Sequence, residues 1–160
     1  AQFNDAVRAG GGSGGGAAAE EAALAKLKGA LGGRTKTIGT GGAKTSDAVL
    51  AFMRRCFGCS VSDGFGATEV GGIAWDGTVG SRVKTTLLDV PDMGYLSTDT
   101  PWPRGELCVS NDTMASGYLG DPGATAEAFF TDAHGTRWYR TGDIVERRSL
   151  SRVVAAGGGG

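Results

Sequence analysis

The chain is poor in residues that cross-link proteins or ligate metals, and it has no long apolar run. Its 160 residues include three cysteines and one histidine. An odd cysteine count argues against a disulfide framework, and Cys56, Cys59 and Cys108 do not make the two pairs a zinc site asks for. Cys56 and Cys59 do form a C-x-x-C. That pair closes a predicted helix, whereas the dipole that lowers a thiol pKa acts at a helix start, so a thiol-redox protein is disfavoured. Free thiols point to a reduced, intracellular setting, cytoplasmic or peripheral to a membrane. No apolar run approaches the ~18 residues of a membrane span. The first residues do not follow the charged-then-apolar order of a signal peptide. Charge of one sign is also scarce, with 16 basic and 17 acidic residues and a formal net charge of −1. The absence of a basic stripe argues against a nucleic-acid partner.

Glycine, in contrast, is abundant at 30 residues, many of them near the two ends. Residues 10–16 form a Gly/Ser tract that cannot bury apolar surface, so residues 1–16 read as a flexible segment. Residues 147–160 show neither helical nor strand periodicity and end in glycines, which predicts an irregular tail. The foldable part is residues 17–146, about one ordinary domain.

Within it, residues 17–31 are Ala-rich, with Leu24, Leu27 and Leu31 on one helical face and Gly32-Gly33 as a stop. Glu20 and Glu21 come early and Lys26 and Lys28 late, an order that suits the helix dipole. Residues 35–38 predict a strand and residues 39–43 a tight loop. Ser46 is a natural N-cap for a second helix carrying Val49, Phe52, Met53 and Cys56. Residues 59–62 predict another strand. Strand, helix and strand within about 30 residues make a βαβ unit with parallel strands. Its two loops then leave the carboxyl edge of the sheet, where open α/β folds bind ligands. Beyond Gly80 the pattern changes to short strands at 83–90, 105–109 and 138–139, separated by turns holding the four prolines. A short helix is predicted at 124–130, with Asp121 or Gly123 near its start. The fold class is α/β: a parallel βαβ portion followed by an antiparallel, barrel-like portion.

Three loops carry chemistry. Gly39-Thr40-Gly41-Gly42-Ala43-Lys44-Thr45 follows a strand and precedes a helix, as a phosphate-binding P-loop would. Two of the fixed glycines of that motif are replaced, by Ile38 and Ala43, which rejects it. Two readings remain: a tight βα turn, or a bare backbone over which a flat ring can slide. In Asp63-Gly64-Phe65-Gly66-Ala67-Thr68-Glu69, Phe65 offers a ring face to a purine. Gly64 and Gly66 permit close approach, Thr68 can donate to a phosphate oxygen, and Glu69 is a hard oxygen ligand of the kind magnesium takes. The same residues also suit a turn with a core Phe and a solvated Glu. Asp143, after Thr141-Gly142, can accept from both hydroxyls of a ribose or cap its own turn.

Taken in order, these segments resemble the AMP-forming adenylating superfamily of acyl-CoA synthetases and their relatives. The match rests on Gly41-Gly42-Ala43, Phe65-Gly66-Ala67-Thr68-Glu69, Gly105-Glu106-Leu107-Cys108-Val109 with Gly117-Tyr118, and Tyr139-Arg140-Thr141-Gly142-Asp143. It covers residues 31–146. The run from Asp89 to Tyr95, followed by Pro103-Arg104-Gly105-Glu106-Leu107, is similar to long-chain fatty acyl-CoA ligases and to the adenylation domains of carboxylic acid reductases.

The resemblance implies activation of a carboxylic acid, expected to be a fatty acid, by ATP and Mg²⁺ and its transfer to CoA. In a reductase the acyl group would pass to a carrier-protein thiol instead. It also implies catalytic roles for Thr68 and Glu69, with Glu69 as the metal ligand. Gly41, Gly42, Ala43, Gly64, Phe65, Gly66, Thr68 and Asp143 would bind the nucleotide. Nothing in the chain resembles the family's upstream phosphate loop or its C-terminal lid lysine. The resemblance therefore implies an incomplete N-terminal domain whose partner is the remainder of a larger chain and which is inactive alone. A nucleotide-binding remnant without turnover is the alternative.

Overall fold

A computed structural model describes residues 15–149 and 152–155. The Gly/Ser segment read over residues 1–16 lies almost wholly outside the described residues.

The chain divides into two compact units. One holds the residues up to Thr40 together with Thr45–Ser62, and the other holds Gly41–Lys44 with the chain from Asp63 onward. In the first unit, α1 (Gly15–Ala30) is an Ala-rich helix that packs lightly on α2 (Asp47–Phe57). Because α1 begins at Gly15, Glu20 and Glu21 lie beyond its first turn rather than at the positive end of the dipole. Glu20 serves another purpose: its carboxylate accepts from Arg55 of α2. The α2 helix forms as its sequence dictates. The Ser46 side chain accepts from the Val49 amide, and Gly58 closes the helix at φ 60 with its N–H on the Arg54 carbonyl. Leu50 and Cys56 are its buried residues, and Val49 faces outward.

Strands β1 (Thr37–Gly41) and β2 (Ser60–Ala67) are neighbours in the sheet, and each contributes residues to both units. Both run further than their composition predicts. Residues 39–41 belong to β1 and residues 63–67 to β2, where tight loops are expected from the glycines. The remaining strands are β3 (Gly71–Trp75), β4 (Thr78–Val79), β5 (Lys84–Leu88), β6 (Arg104–Ser110), β7 (Phe129–Thr131), β8 (Arg137–Ser149) and β9 (Arg152–Ala155). In hydrogen-bonding order the sheet reads β1-β2-β3-β4-β9-β8-β6-β5, with β7 on β8. The pairings from β2 onward are antiparallel, and the path is open rather than closed on itself. Helix α3 (Pro122–Ala128) starts on Asp121, whose carboxylate accepts from the Ala124 amide, and has Pro122 in its first turn.

The core sits where β6, β8 and their neighbours meet. Leu107, Val109, Val70, Ile73 and Ala74 are at most 1% exposed, and Phe129, Tyr139, Val145 and Val153 pack with them. Five consecutive residues of β6 are buried, because the strand is paired on both edges and covered on both faces. The C-terminal part is more ordered than its composition suggests. Residues 147–149 complete β8, and β9 returns beside it, pairing Val145 with Ala155 and Arg147 with Val153. The apolar pair Val153-Val154 supplies that strand, and Val153 is buried.

Candidate nucleotide site

Every residue singled out from the sequence as a site residue belongs to the second unit. The glycines turn out to have different jobs. A Cβ on Gly41 would stand 2.9 Å from the Gly64 carbonyl oxygen, so that glycine lets two backbones approach. A Cβ on Gly66 would stand 2.5 Å from the Gly71 carbonyl oxygen, at the bulge where β2 pairs with β3. Strand packing alone therefore demands both. Gly42 is different: at φ +86 it has open space above it, and Ala43 beside it is exposed. Phe65 is half-buried and packs partly against the core.

After β2 the chain turns through Thr68, Glu69 and Val70. This turn is braced from one side. The Ala115 amide donates to the Glu69 carbonyl at 2.7 Å. Asn111 Nδ2 and Thr113 Oγ1 both donate to the Val70 carbonyl, at 2.8 and 3.1 Å. Thr68 is left exposed at the tip. The Glu69 carboxylate accepts from the Tyr118 hydroxyl at 2.5 Å and also engages Tyr139. The Tyr118 hydrogen bond is the main reason its pKa lies below the ordinary value. The two phenols move the other way. Tyr118 is raised, chiefly because its proton is shared with Glu69, and Tyr139 is pushed up to about 12, chiefly by burial. Tyr118, Phe129 and Tyr139 form a tilted aromatic row with centroids 6.1 and 5.2 Å apart.

Tyr139 links this turn to the next motif, since Asp143 lies four residues on along β8. Between them β8 bulges. Glu106 pairs with Ile144 and Cys108 with Arg140, so Leu107 alone faces Thr141, Gly142 and Asp143. Gly142 takes φ +74 with open space above it, and Asp143 is exposed. The protein around the Asp143 carboxyl raises its pKa although solvent still reaches it. Thr141 Oγ1 donates to the Leu107 carbonyl at 2.8 Å and accepts from the Asp143 amide at 3.1 Å. Behind the bulge the buried Glu106 carboxylate accepts from Arg140 Nη2 at 2.6 Å and Nε at 3.0 Å.

Sequence reasoning assigned no role to Tyr118, Tyr139, Glu106 or Arg140, although each lies within a quoted motif. The one usable signal was Glu106, a carboxylate in an otherwise apolar strand, which must have a partner. A wide hollow of about 690 Å³ lies nearby, lined by Tyr118, Pro122, Phe129 and Arg137 among others. It meets the site at Tyr118 and Phe129. Its Arg137 is already committed to the Ala115 and Ser116 carbonyls, so we assign the hollow no role.

The sequence profile of AMP-binding enzymes matches residues 6–119. The chain belongs to the AMP-binding enzyme family. Among similar curated proteins is the peroxisomal long chain acyl-CoA synthetase 7 of Arabidopsis thaliana, 41% identical over 130 residues. That match covers 74% of this chain and 18% of the synthetase. A carboxylic acid reductase of Segniliparus rugosus is also 41% identical, over 117 residues covering 72% of this chain and 10% of the reductase. The chain thus spans less than a fifth of the length of the curated relatives it matches.

Two solved structures extend the likeness over 96% of the chain. One is the adenylation domain of the Mycobacterium chelonae carboxylate reductase, at TM-score 0.81, 31% identity and 24% of that chain. The other is the Segniliparus rugosus reductase A domain in complex with AMP and a co-purified carboxylic acid, at TM-score 0.78, 35% identity and 24% of that chain. The α/β fold with a largely antiparallel, open sheet is thereby that of an adenylation domain in part.

Glu69 is the one carboxylate of the turn after β2, and no cluster of three or more candidate metal ligands exists among the described residues. That donor set fits an ion that takes one or two carboxylates from the protein and the rest of its shell from phosphates and water. Hydrogen bonding, first from the Tyr118 hydroxyl, favours the ionised Glu69 carboxylate that a metal ligand must be, while burial opposes it.

Proposed function

We propose that this chain forms the nucleotide-binding face of an acyl-activating enzyme that converts a carboxylic acid to its acyl-adenylate. One arrangement carries the reading. The motifs at Gly41-Gly42-Ala43, Gly64 to Glu69 and Thr141 to Asp143 fall in one compact unit, and Gly42 and Gly142 are left with open backbone. In the reaction a carboxylate oxygen of the acid attacks the α-phosphorus of ATP, and the bond to pyrophosphate breaks. A thiol then attacks the acyl carbon and AMP leaves. Such chemistry depends on positioning and on screening phosphate charge rather than on covalent help from the protein.

On this reading the Thr68 hydroxyl donates to a phosphate oxygen and Asp143 accepts from the ribose hydroxyls. The Gly41 to Ala43 backbone, with Gly64, Gly66 and the exposed part of Phe65, flanks the adenine. Glu69 would hold Mg²⁺, which, when bound, screens the phosphates. The phenols of Tyr118 and Tyr139 keep its carboxylate ionised and in place.

Fatty acid and CoA are the substrates best supported by the synthetase relatives. A second reading, with a carrier-protein thiol as acceptor, is favoured by the reductase adenylation domains that match 96% of the chain. The test is carboxylic-acid-dependent exchange of pyrophosphate into ATP by the full-length protein that carries this segment, assayed with fatty and aromatic acids. The expected result is exchange that needs an acid. Asp143→Asn should raise the KM for ATP by roughly tenfold, the equivalent of one or two lost hydrogen bonds. Exchange without any acid, or an unchanged KM in the variant, contradicts the proposal.

A further inference from the structure

We propose that Glu106 is a positioning residue whose carboxylate holds the Thr141-Gly142-Asp143 turn in shape before any nucleotide arrives. The consequence for nucleotide binding rests on the reading given above, whereas the shape of the turn does not.

The register of β6 and β8 creates the need. Three residues of β8 stand against Leu107, so two of them cannot join the ladder, and their backbone groups must find other partners. Thr141 solves part of this from within the turn, through its bonds to the Leu107 carbonyl and the Asp143 amide. The Gly142 amide lies within the bulge, between the paired Arg140 and Ile144. It donates to Glu106 Oε1 at 3.2 Å.

Glu106 is 7% exposed, the one buried charged residue among the described residues. An ionised carboxylate is expensive there unless it is paired. Arg140 supplies the pairing through Nη2 and Nε, mainly to Oε2, which leaves Oε1 facing the stranded amide. An apolar residue at 106 would fill the same space and leave the Gly142 amide without an acceptor. The carboxylate thus ties three things together: the strand before the bulge, the turn itself and the arginine after Tyr139. Asp143, one residue beyond the held amide, inherits its position from that tie.

The experiment measures amide hydrogen exchange of the chain by NMR, in the absence of ligand, with AMP affinity as a second readout. In Glu106→Gln one oxygen must serve both Arg140 and Gly142. Exchange at Gly142 is expected to rise at least ~10-fold, as for the loss of one charge-assisted bond, while Val109 and Val145 stay unchanged. Because loss of a buried charge partner can unfold a chain, a second variant, Glu106→Leu with Arg140→Leu, replaces the pair by apolar groups that can pack. It should fold and show the same loss of protection at Gly142. AMP should bind Glu106→Gln several-fold more weakly than the unaltered chain.

Unchanged protection of Gly142 in both variants overturns the proposal, whether or not AMP binds. So does an AMP affinity equal to that of the unaltered chain in Glu106→Gln when Asp143→Asn weakens binding. If the unaltered chain does not bind AMP, the nucleotide reading falls, and the exchange rates alone decide the role of Glu106.

Discussion

Cys108 neighbours the Glu106–Arg140 pair on β6 and is fully buried. Burial pushes its thiol up to about 12; the Glu106 charge adds to this and Arg140 opposes it. Cys56 is raised as well, again chiefly by burial, and its Sγ lies against the Leu24 carbonyl. At pH 8 the thiolate of Cys108 is about one part in ten thousand of the total, and its sulfur is out of reach. A thiol-specific reagent at that pH is therefore expected to label the half-buried Cys59 first in the native chain. Cys56 and Cys108 should react only after denaturant is added, as peptide mapping would show. Rapid native labelling of Cys108 would contradict the burial that the core assigns it.

The sequence was informative about these thiols because their character is local. It was silent on the pairs that build the site. Glu69 meets Tyr118 across 49 residues and Glu106 meets Arg140 across 34. No spacing rule joins residues that far apart. Motif order placed them in the right segments, and only the register of the strands gives them work.

Among the elements, α2 and the β5–β6 pair were readable in advance, because a Ser N-cap, helical periodicity and apolar runs act within a few residues. The hairpin from β2 into β3 was not, since its glycines read as a loop. The turn from β3 to β4 did carry a sign. Asp76-Gly77, with φ of 49 and 75, is the Asp-Gly pair that a tight hairpin favours. The C-terminal strand β9 escaped notice because four residues are too few to show a period.

The structure changes the reason for Gly66. At the β2–β3 bulge a Cβ would meet the Gly71 carbonyl 2.5 Å away, and a backbone atom cannot step aside as a side chain would. Gly66→Ala is expected to destabilise the chain by about 1–3 kcal/mol, the usual range for overpacking. Urea unfolding would show this as a lower midpoint. A midpoint equal to that of the unaltered chain would return Gly66 to a purely ligand-facing role.

At the scale of the whole molecule, one unit carries all the candidate nucleotide contacts, and the other carries α1, α2 and most of β1. No helix among the described residues is long and apolar enough to cross a membrane. The chain spans 18% of the length of the Arabidopsis thaliana synthetase and 10% of the Segniliparus rugosus reductase.

The direct test is an AMP titration of the chain followed by amide NMR. The account predicts saturable shifts at Gly41-Gly42-Ala43, at Gly64 through Glu69 and at Thr141-Gly142-Asp143, all needing roughly tenfold more AMP in Asp143→Asn. A titration that moves none of these amides, or moves only those around the hollow at Tyr118 and Arg137, would contradict it.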